Sequence, residues 1–305
     1  MRFICIILNS KNPYQFSMKS DNNYEFFKKS YDFLKLVRTE IKNRKENYGK
    51  EDSKTLRRYY SDWIKRKKYF DYVIQYTALR HKHLLKILKK GMKVLDTGCG
   101  TGTEVILYGV NGAEVLGIDI SSARLKLAQK RKNYYEKLLK TKLNINFKLK
   151  NVFTISGSFD VIWVNEAISH IHPFDDFIRF CYNRLKDGGR LIIADTNKLN
   201  PVFFYRAKKE QKKSGGIITV KKDPSTNKDI LYAVERIFTI FQIRSLISEI
   251  FNEIKVYPIG YIPFSFYNKF PNFTRKMEEI IQCIPIIKNF SGSYTLECKK
   301  SEKIN

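Results

Sequence analysis

The feature that most constrains this chain is a glycine-rich segment at residues 94–102, which reads VLDTGCGTG. The apolar start of the segment is typical of a short strand, and a helical pattern follows from about Thr103. Glycines at this kind of strand-to-helix junction let a ligand approach the backbone closely, as nucleotide-like cofactors do. A dinucleotide fingerprint would need a third glycine at position 103, where the chain has threonine, and no Gly-Lys-Ser/Thr phosphate loop follows.

Two acidic residues narrow the choice of cofactor. Asp96 ends the first strand, where a carboxylate repels the pyrophosphate of a dinucleotide and attracts a cationic ligand. Asp119 ends a second short strand, 21 residues past Gly98, where an acidic side chain can accept hydrogen bonds from ribose hydroxyls. The pair favours S-adenosylmethionine, which carries an ammonium and a sulfonium group and no phosphate.

Strand and helix patterns alternate five times after residue 92. This alternation predicts a doubly wound α/β fold with a largely parallel sheet. The predicted strands are 93–96, 114–118, 145–149, 159–164 and 190–194, with later strands at 253–257 and 294–298. The predicted helices between them are 103–110, 121–139, 174–185 and 236–250. Two proline-containing stretches, 197–234 and 258–290, interrupt this rhythm and are interpreted as insertions, the first a flexible lid and the second an apolar wall for a substrate.

The first part of the chain is expected to form a basic helical extension. Aromatic and aliphatic residues recur at helical spacing over 24–47 and 54–90, so we divide the chain into an extension at 1–90 and an α/β domain at 91–305. Residues 1–93 carry 15 of the 27 net positive charges. The run Lys65–Lys68 fits a solvated helix face or a contact with an anionic partner, RNA or a membrane surface. Aromatic residues just before it, Tyr59, Tyr60 and Trp63, suggest a lid over the cofactor.

The cysteines and the hydropathy argue against several classes of protein. The five cysteines include no Cys-x-x-Cys pair, so we expect neither a disulfide framework nor a metal site, and a reduced, cytoplasmic protein. No apolar run approaches 18 residues, so we expect no membrane span.

Four segments together resemble the class I S-adenosylmethionine-dependent methyltransferases, in particular the small-molecule group that includes quinone-pathway methyltransferases. These segments are residues 94–102, 117–121, 159–171 and 185–195. The resemblance implies a Rossmann-like, doubly wound sheet of seven strands whose last strand is antiparallel. It also implies S-adenosylmethionine as the cofactor, bound by the glycine loop and by residues that follow the second, third and fourth strands.

The resemblance assigns a role to each of these positions. The methionine part of the cofactor would lie against Asp96, Gly98, Gly100 and Gly102. Asp119 would hold the ribose, and Ile120 would pack on the adenine. Asn151 and Val152 would lie near the adenine amino group, although the family commonly has an acidic residue where this chain has Asn151. Asn165 and Glu166 would flank the sulfonium.

His170 and His172 follow the fourth strand and are candidate bases for an acceptor that must lose a proton. The interpretation is therefore O- or C-methylation of a small-molecule or lipid-like acceptor. An RNA methyltransferase, including a cap-guanine type, and a cofactor-binding regulatory subunit without catalysis are the alternatives. The tetrapeptide of base-amine methyltransferases, Asn/Asp-Pro-Pro-aromatic, is absent, since residues 165–168 read NEAI.

Overall fold

The computed structural model describes residues 24–61, 63, 70–223, 225–262, 266, 269–281 and 284–302. The helices are α1 Tyr24–Lys42, α2 Arg44–Tyr59, α3 Phe70–Ile87, α4 Thr103–Val110, α5 Ser122–Leu139, α6 Phe174–Arg184, α7 Pro201–Lys213, α8 Ile240–Ser248 and α9 Pro271–Ile281. The strands are β1 Lys93–Thr97, β2 Glu114–Asp119, β3 Ile145–Leu149, β4 Phe159–Asn165, β5 Leu185–Thr196, β6 Ile218–Lys222, β7 Asp229–Ala233, β8 Glu253–Ile259 and β9 Ser293–Lys299.

Seven of these strands form one sheet in the order β3-β2-β1-β4-β5-β9-β8. Strands β1 to β5 run parallel, and β9 pairs antiparallel with both β5 and β8. The expected doubly wound, seven-stranded fold with an antiparallel last strand is confirmed. From β1 the strands that follow along the chain lie first on one side, as β2 and β3, and then on the other, as β4 and β5. The carboxyl ends of β1 and β4 therefore form the crevice where such sheets bind ligands.

Two apolar cores cover the two faces of this sheet. One contains side chains from α1, α3, α4 and α5 together with Val94, Trp163 and Ile192. The other contains side chains from α6 and α8 together with Leu95, Ile162 and Ile193. Alternate residues of each central strand therefore enter opposite cores, as the two-residue period of a strand requires. The strands are apolar on both faces because both faces are covered.

The amino-terminal helices pack into the first of these cores. Leu34, Val37 and Ile41 of α1 are almost completely buried there. The predicted break at residues 47–49 is a kink inside α2, where Gly49 has φ +74°. The predicted single helix over 54–90 is wrong in its extent, because α2 already begins at Arg44 and α3 begins at Phe70. The run Lys65–Lys68 lies outside the described residues.

Capping explains where two of the other helices begin. Ser121 accepts a hydrogen bond from Arg124 N at 3.4 Å, as its predicted N-cap role requires. Helix α8 begins four residues later than predicted, because Thr239 and Gln242 form a reciprocal capping box.

The stretch at 197–234 contains regular structure. It forms α7, whose first turn is capped by Asn200, followed by the antiparallel hairpin of β6 and β7. The stretch at 258–290 contains α9 among the residues that the structure describes there. None of the helices in the described ranges is long and apolar enough to span a bilayer.

Candidate active site

The glycine loop joins β1 to α4 and is fixed by its own backbone. Gly98 N and Cys99 N both donate to Ile118 O, at 2.8 and 2.9 Å, so the loop is bound to the end of β2. Gly100 has φ +55°, and a Cβ atom at this position would overlap the Tyr59 hydroxyl. The left-handed backbone favours glycine here, and an added Cβ would also displace the aromatic side chain that reaches the loop from α2.

Asp119 is held beside that loop by two backbone donors. Its Oδ2 accepts from Gly100 N at 2.9 Å, and its Oδ1 accepts from Ser121 N at 2.8 Å. Arg124 Nη1 lies 3.9 Å from Oδ2. The carboxylate is 5% exposed and each of its oxygens retains a further lone pair. This geometry fits the ribose-binding role that the sequence predicts.

Asp96 is buried and incompletely hydrogen-bonded. It is 2% exposed, and no described residue bonds to its Oδ2. Burial raises the pKa of this carboxyl, and the nearby charges of Glu104 and Asp119 raise the pKa further. A buried carboxylate without a donor is costly, and an ammonium group would provide both the hydrogen bond and the compensating charge. The residues present therefore fit the methionine end of S-adenosylmethionine.

The carboxyl end of β4 carries Asn165 and Glu166. Glu166 is a non-glycine residue with φ +50°, a conformation that costs of order 1–3 kcal/mol and often marks a functional site. It is held there because its N–H donates to Ala194 O at 2.8 Å. Arg80 Nη1 also binds Glu166 Oε1, at 2.6 Å, and reaches Asn165 Oδ1 at 3.2 Å.

A chain of polar side chains leads from α1 to Asn165. Ser30 Oγ lies 2.8 Å from His81 Nδ1, and His81 Nε2 lies 3.3 Å from Glu104 Oε1. Asn165 Nδ2 donates to the same Glu104 oxygen at 3.1 Å. Burial opposes the charge on Glu104, but His81 compensates and the pKa of Glu104 is lowered. The helical extension therefore supplies polar groups to the same crevice as the sheet.

The remaining predicted cofactor residues lie at the ends of their strands. Gly102 caps α4 with φ +78°. Ile120 follows β2 and is partly buried. Asn151 follows β3, where its Oδ1 accepts from Phe153 N at 3.2 Å, and Val152 beside it is buried. All ten predicted cofactor residues follow or end β1 to β4 along one edge of the sheet, and their individual roles stay predictions.

The two histidines contact the hairpin of β6 and β7 and the segment after it. His170 Nδ1 lies 3.3 Å from Ala233 O, its Nε2 lies 3.6 Å from Glu235 Oε1, and its ring stacks on Tyr232 at 5.3 Å. His172 Nδ1 lies 3.3 Å from Arg236 Nη1. Burial lowers the pKa of both histidines, and Arg236 lowers that of His172 further. The base role of either residue stays a prediction.

Sequence reasoning missed the polar groups that α3 and α4 bring to the crevice. Glu104 carries a signal that could have been used, because it lies in the first turn of the helix that follows the glycine loop. Arg80 and His81 have no comparable signal, since they belong to a run of basic residues that reads as solvent-exposed. Of the suggested aromatic lid, Tyr59 reaches Gly100, and Tyr60 bonds to Thr101 Oγ1 at 3.1 Å.

A family model described as "Methyltransferase domain" matches residues 88–243, just over half of the chain. The chain belongs to this methyltransferase family. The membership confirms the predicted resemblance to class I methyltransferases and S-adenosylmethionine as the cofactor.

Curated relatives match a shorter part of this methyltransferase. The mouse protein "Ubiquinone biosynthesis O-methyltransferase, mitochondrial" is 37% identical over 112 residues, which cover 35% of this chain and 30% of that protein. The Coxiella burnetii "Ubiquinone biosynthesis O-methyltransferase" is 30% identical over 123 residues, which cover 39% of this chain and 50% of that protein. The matches thus span half or less of these relatives' lengths.

Among solved structures, a similar chain is phosphoethanolamine N-methyltransferase 2 of Haemonchus contortus in complex with S-adenosyl-L-methionine. It is 16% identical with a TM-score of 0.49, over 70% of this chain and 50% of that one.

Proposed function

We propose that this methyltransferase transfers the methyl group of S-adenosylmethionine to an oxygen or carbon atom of a small-molecule or lipid-like acceptor. The observation that carries the proposal is the pair of buried carboxylates at the carboxyl edge of the sheet. Asp96 has an oxygen without a donor among the described residues, and Asp119 is held beside the glycine loop. The curated relatives, which are named as O-methyltransferases of ubiquinone biosynthesis, support an acceptor of this class.

Different residues would bind different parts of S-adenosylmethionine. Asp96 would accept the ammonium of the methionine moiety, and Asp119 would accept both ribose hydroxyls. Asn165 and Glu166 would border the reacting methyl group, with Arg80 holding both side chains in place. When bound, the cofactor supplies an activated methyl carbon, and the protein contributes chiefly by aligning the acceptor with it. His170 and His172 remain candidate bases.

The alternatives named from the sequence receive less support. The RNA alternative rests on the basic amino-terminal third and on the basic residues of 124–142, and no described feature favours RNA over a small molecule. Contact of the basic flanks with an anionic partner and a cytoplasmic location stay predictions.

The test is calorimetry with S-adenosylmethionine. We expect Asp119→Ala to weaken binding by roughly 1.5–3 kcal/mol, because the buried ribose loses charge-assisted hydrogen bonds. Asp187→Ala is the matched control, since Asp187 is an exposed aspartate near the amino-terminal end of β5, away from the carboxyl edge of the sheet. Unchanged affinity in Asp119→Ala would remove this residue from the site. Preferential binding of NADH by the wild-type protein would overturn the proposal.

A further inference from the structure

A buried ion pair joins the amino-terminal extension to the helix that follows β2. Glu40 of α1 and Arg131 of α5 are both completely buried. Arg131 Nε donates to Glu40 Oε1 at 2.6 Å, and Arg131 Nη2 donates to Glu40 Oε2 at 2.8 Å. The planar guanidinium therefore uses one edge to bind the carboxylate with two parallel hydrogen bonds, a geometry that a lysine could not provide.

The third nitrogen of Arg131 points to the glycine loop. Its Nη1 lies 2.8 Å from Thr101 O, 3.2 Å from Thr101 Oγ1 and 2.8 Å from Thr103 Oγ1. It also lies 2.9 Å from the Tyr60 hydroxyl, which itself contacts Thr101 and Thr103. None of these three residues is more than 6% exposed. One guanidinium therefore connects α1 to the loop through groups that are shielded from water.

This contact holds a part of the loop that is otherwise free to move. The backbone N–H groups of residues 98–100 bond to the end of β2, and among the described residues the bonds from β2 to the loop end there. Thr101 follows between Gly100 and Gly102, whose φ angles are +55° and +78°. Glycines on both sides give this stretch a wide choice of backbone conformations. The hydrogen bond from Arg131 to Thr101 O restricts that choice.

Stability alone does not account for this arrangement. Removing a guanidinium and a carboxylate from water has a cost that offsets much of their attraction, and apolar residues of similar volume often stabilise a fold equally well. Burial opposes the charge on Arg131, but Glu40 and Tyr60 more than compensate, so the pKa of Arg131 is raised and the guanidinium stays charged. What the ion pair adds is geometry, because Glu40 orients the guanidinium whose third nitrogen holds the loop.

We propose that Arg131 is a positioning residue for the cofactor loop, and that Glu40 makes cofactor binding depend on the docking of α1. The inference rests on the proposed function, in which this loop holds S-adenosylmethionine. A loop that is already fixed in the free protein loses less conformational freedom when the cofactor binds, which raises the affinity for the cofactor. Because coupling between two binding equilibria is reciprocal, the bound cofactor should also stabilise the docked α1.

The first experiment separates positioning from stability. Binding of S-adenosylhomocysteine is measured by calorimetry and folding by urea titration. The double variant Glu40→Leu/Arg131→Met should be more stable than Arg131→Met, because it leaves no isolated charge. It should nevertheless bind S-adenosylhomocysteine about tenfold or more weakly than the wild type, because the charge-assisted bond to the loop is lost. Lys130→Met is the neighbouring control, since Lys130 pairs with Asp52, and its affinity should stay within about twofold of the wild type.

A second pair of variants changes only the loop side of the contact. Thr103→Val removes the hydroxyl that accepts from Arg131 Nη1, and Thr103→Ser keeps it. We expect about three- to tenfold weaker binding of S-adenosylhomocysteine in Thr103→Val and binding within about twofold of the wild type in Thr103→Ser. Added to the double variant, Thr103→Val should weaken binding no further, as expected for two ends of one contact. Equally weak binding in Thr103→Val and Thr103→Ser would show that this hydroxyl does not hold the loop.

Hydrogen exchange tests the dependence on α1. In the wild type, S-adenosylhomocysteine should slow the exchange of α1 amides more than that of α8 amides, because α8 packs in the core on the other face of the sheet. The double variant should lose this difference. Equal slowing of both helices in the wild type would overturn the role of the extension.

The remaining outcomes separate this inference from the proposed function. Wild-type affinity for S-adenosylhomocysteine in the folded double variant would overturn the positioning role of Arg131 and leave the proposed function standing. A wild-type protein that binds neither S-adenosylmethionine nor S-adenosylhomocysteine would overturn the proposed function itself.

Discussion

Two polar clusters buried in this protein differ in how completely they are hydrogen-bonded. The first is centred on Glu40 of α1 and Arg131 of α5, both fully buried. Arg131 donates to both Glu40 oxygens, at 2.6 and 2.8 Å, and to Thr101 O and Thr103 Oγ1 beside the glycine loop, both at 2.8 Å. Tyr48 and Tyr135 donate to the same carboxylate, at 2.6 and 2.7 Å. The second consists of Asp195 of β5 and Tyr294 of β9, which pair across the two strands, and within the described part of the chain neither Asp195 Oδ2 nor the Tyr294 hydroxyl has a partner.

The difference between the clusters indicates different tasks. A fully satisfied buried network makes a region rigid, and this one ties the helical extension to the loop that is expected to hold the cofactor. Buried polar atoms without partners cost free energy, so the second cluster contributes less to the stability of the fold than the first. The same low-dielectric interior therefore holds a satisfied ion pair in one place and a carboxyl with a raised pKa in another.

The largest effect is expected from breaking the satisfied cluster. Arg131→Met leaves Glu40 buried without its counter-ion, so we expect a loss of about 3–5 kcal/mol of unfolding free energy in urea titrations. The double variant Glu40→Leu/Arg131→Met should be less destabilised than Arg131→Met, because no isolated charge remains. Lys130→Met is the neighbouring control, since Lys130 pairs with Asp52 at the surface and should cost less than about 1 kcal/mol. A single and a double variant of equal stability would contradict the anchor role.

The contribution of the second cluster to the free energy of unfolding should depend on pH. The pKa of Asp195 is about 7 in the folded protein, above the value near 4 of an unfolded aspartate. The fold therefore retains the proton between these values, and the stability this gives is lost as pH rises from about 4 to 7. The loss amounts to at most about 4 kcal/mol, at 1.36 kcal/mol for each pKa unit.

Asp195→Asn should remove this pH dependence and make the protein more stable than the wild type at pH 8 in urea titrations. Asp160 is the control with the opposite sign. Partial burial raises its pKa, but the hydrogen bonds from Lys186 lower it overall, so Asp160→Asn should lower stability toward neutral pH. If the wild-type protein and Asp195→Asn show parallel stability from pH 4 to 8, the carboxyl is already ionised throughout.

Sequence patterns predict the sheet and the glycine loop but neither of the two buried clusters. The seven strands, the glycine loop and Asp119 follow from short-range signals: apolar runs, glycine spacing and an acidic residue at a strand end. The ion pair of Glu40 with Arg131 joins residues 91 positions apart, and both lie in helices rich in charged residues. Local periodicity carries no information about which charged side chain is buried, because that depends on how α1 packs against α5.

Asp195 was overlooked for a related reason. It ends an apolar strand, as Asp96 does, but no glycine loop follows to mark it. Its burial beside another polar side chain depends on β9, which begins at residue 293, pairs with β5 and places Tyr294 opposite Asp195. The predicted helix over 54–90 is wrong in extent because the helical spacing of apolar residues continues past Tyr59, where α2 ends.

A smaller effect should distinguish backbone strain from crowding in the glycine loop. Gly100→Ala places a side chain at φ +55° and against the Tyr59 hydroxyl, so we expect a cost of about 1–2 kcal/mol from the left-handed backbone alone, plus a steric cost. Gly157→Ala is the matched control, because Gly157 has φ +94° and an added Cβ would meet nothing within 4 Å. Tyr59→Phe should recover part of the additional cost in Gly100→Ala, measured as a double-mutant cycle in urea. Without such coupling, Tyr59 does not restrict the loop.

The smallest effect on stability is expected at His170, whose ring contacts Tyr232 and Ala233 of β7. Burial lowers the pKa of His170, so the folded protein prefers the neutral ring. Wild-type stability should therefore decline as pH falls through the unfolded histidine value of about 6.5. His170→Gln should flatten this decline and cost about 1 kcal/mol or less at pH 8, through the lost stacking on Tyr232. Tyr232→Leu, which removes the stacking but keeps the histidine, should retain the decline. A loss of about 10²-fold in methyl-transfer turnover in His170→Gln, with S-adenosylmethionine affinity unchanged, would instead assign proton removal to the histidine.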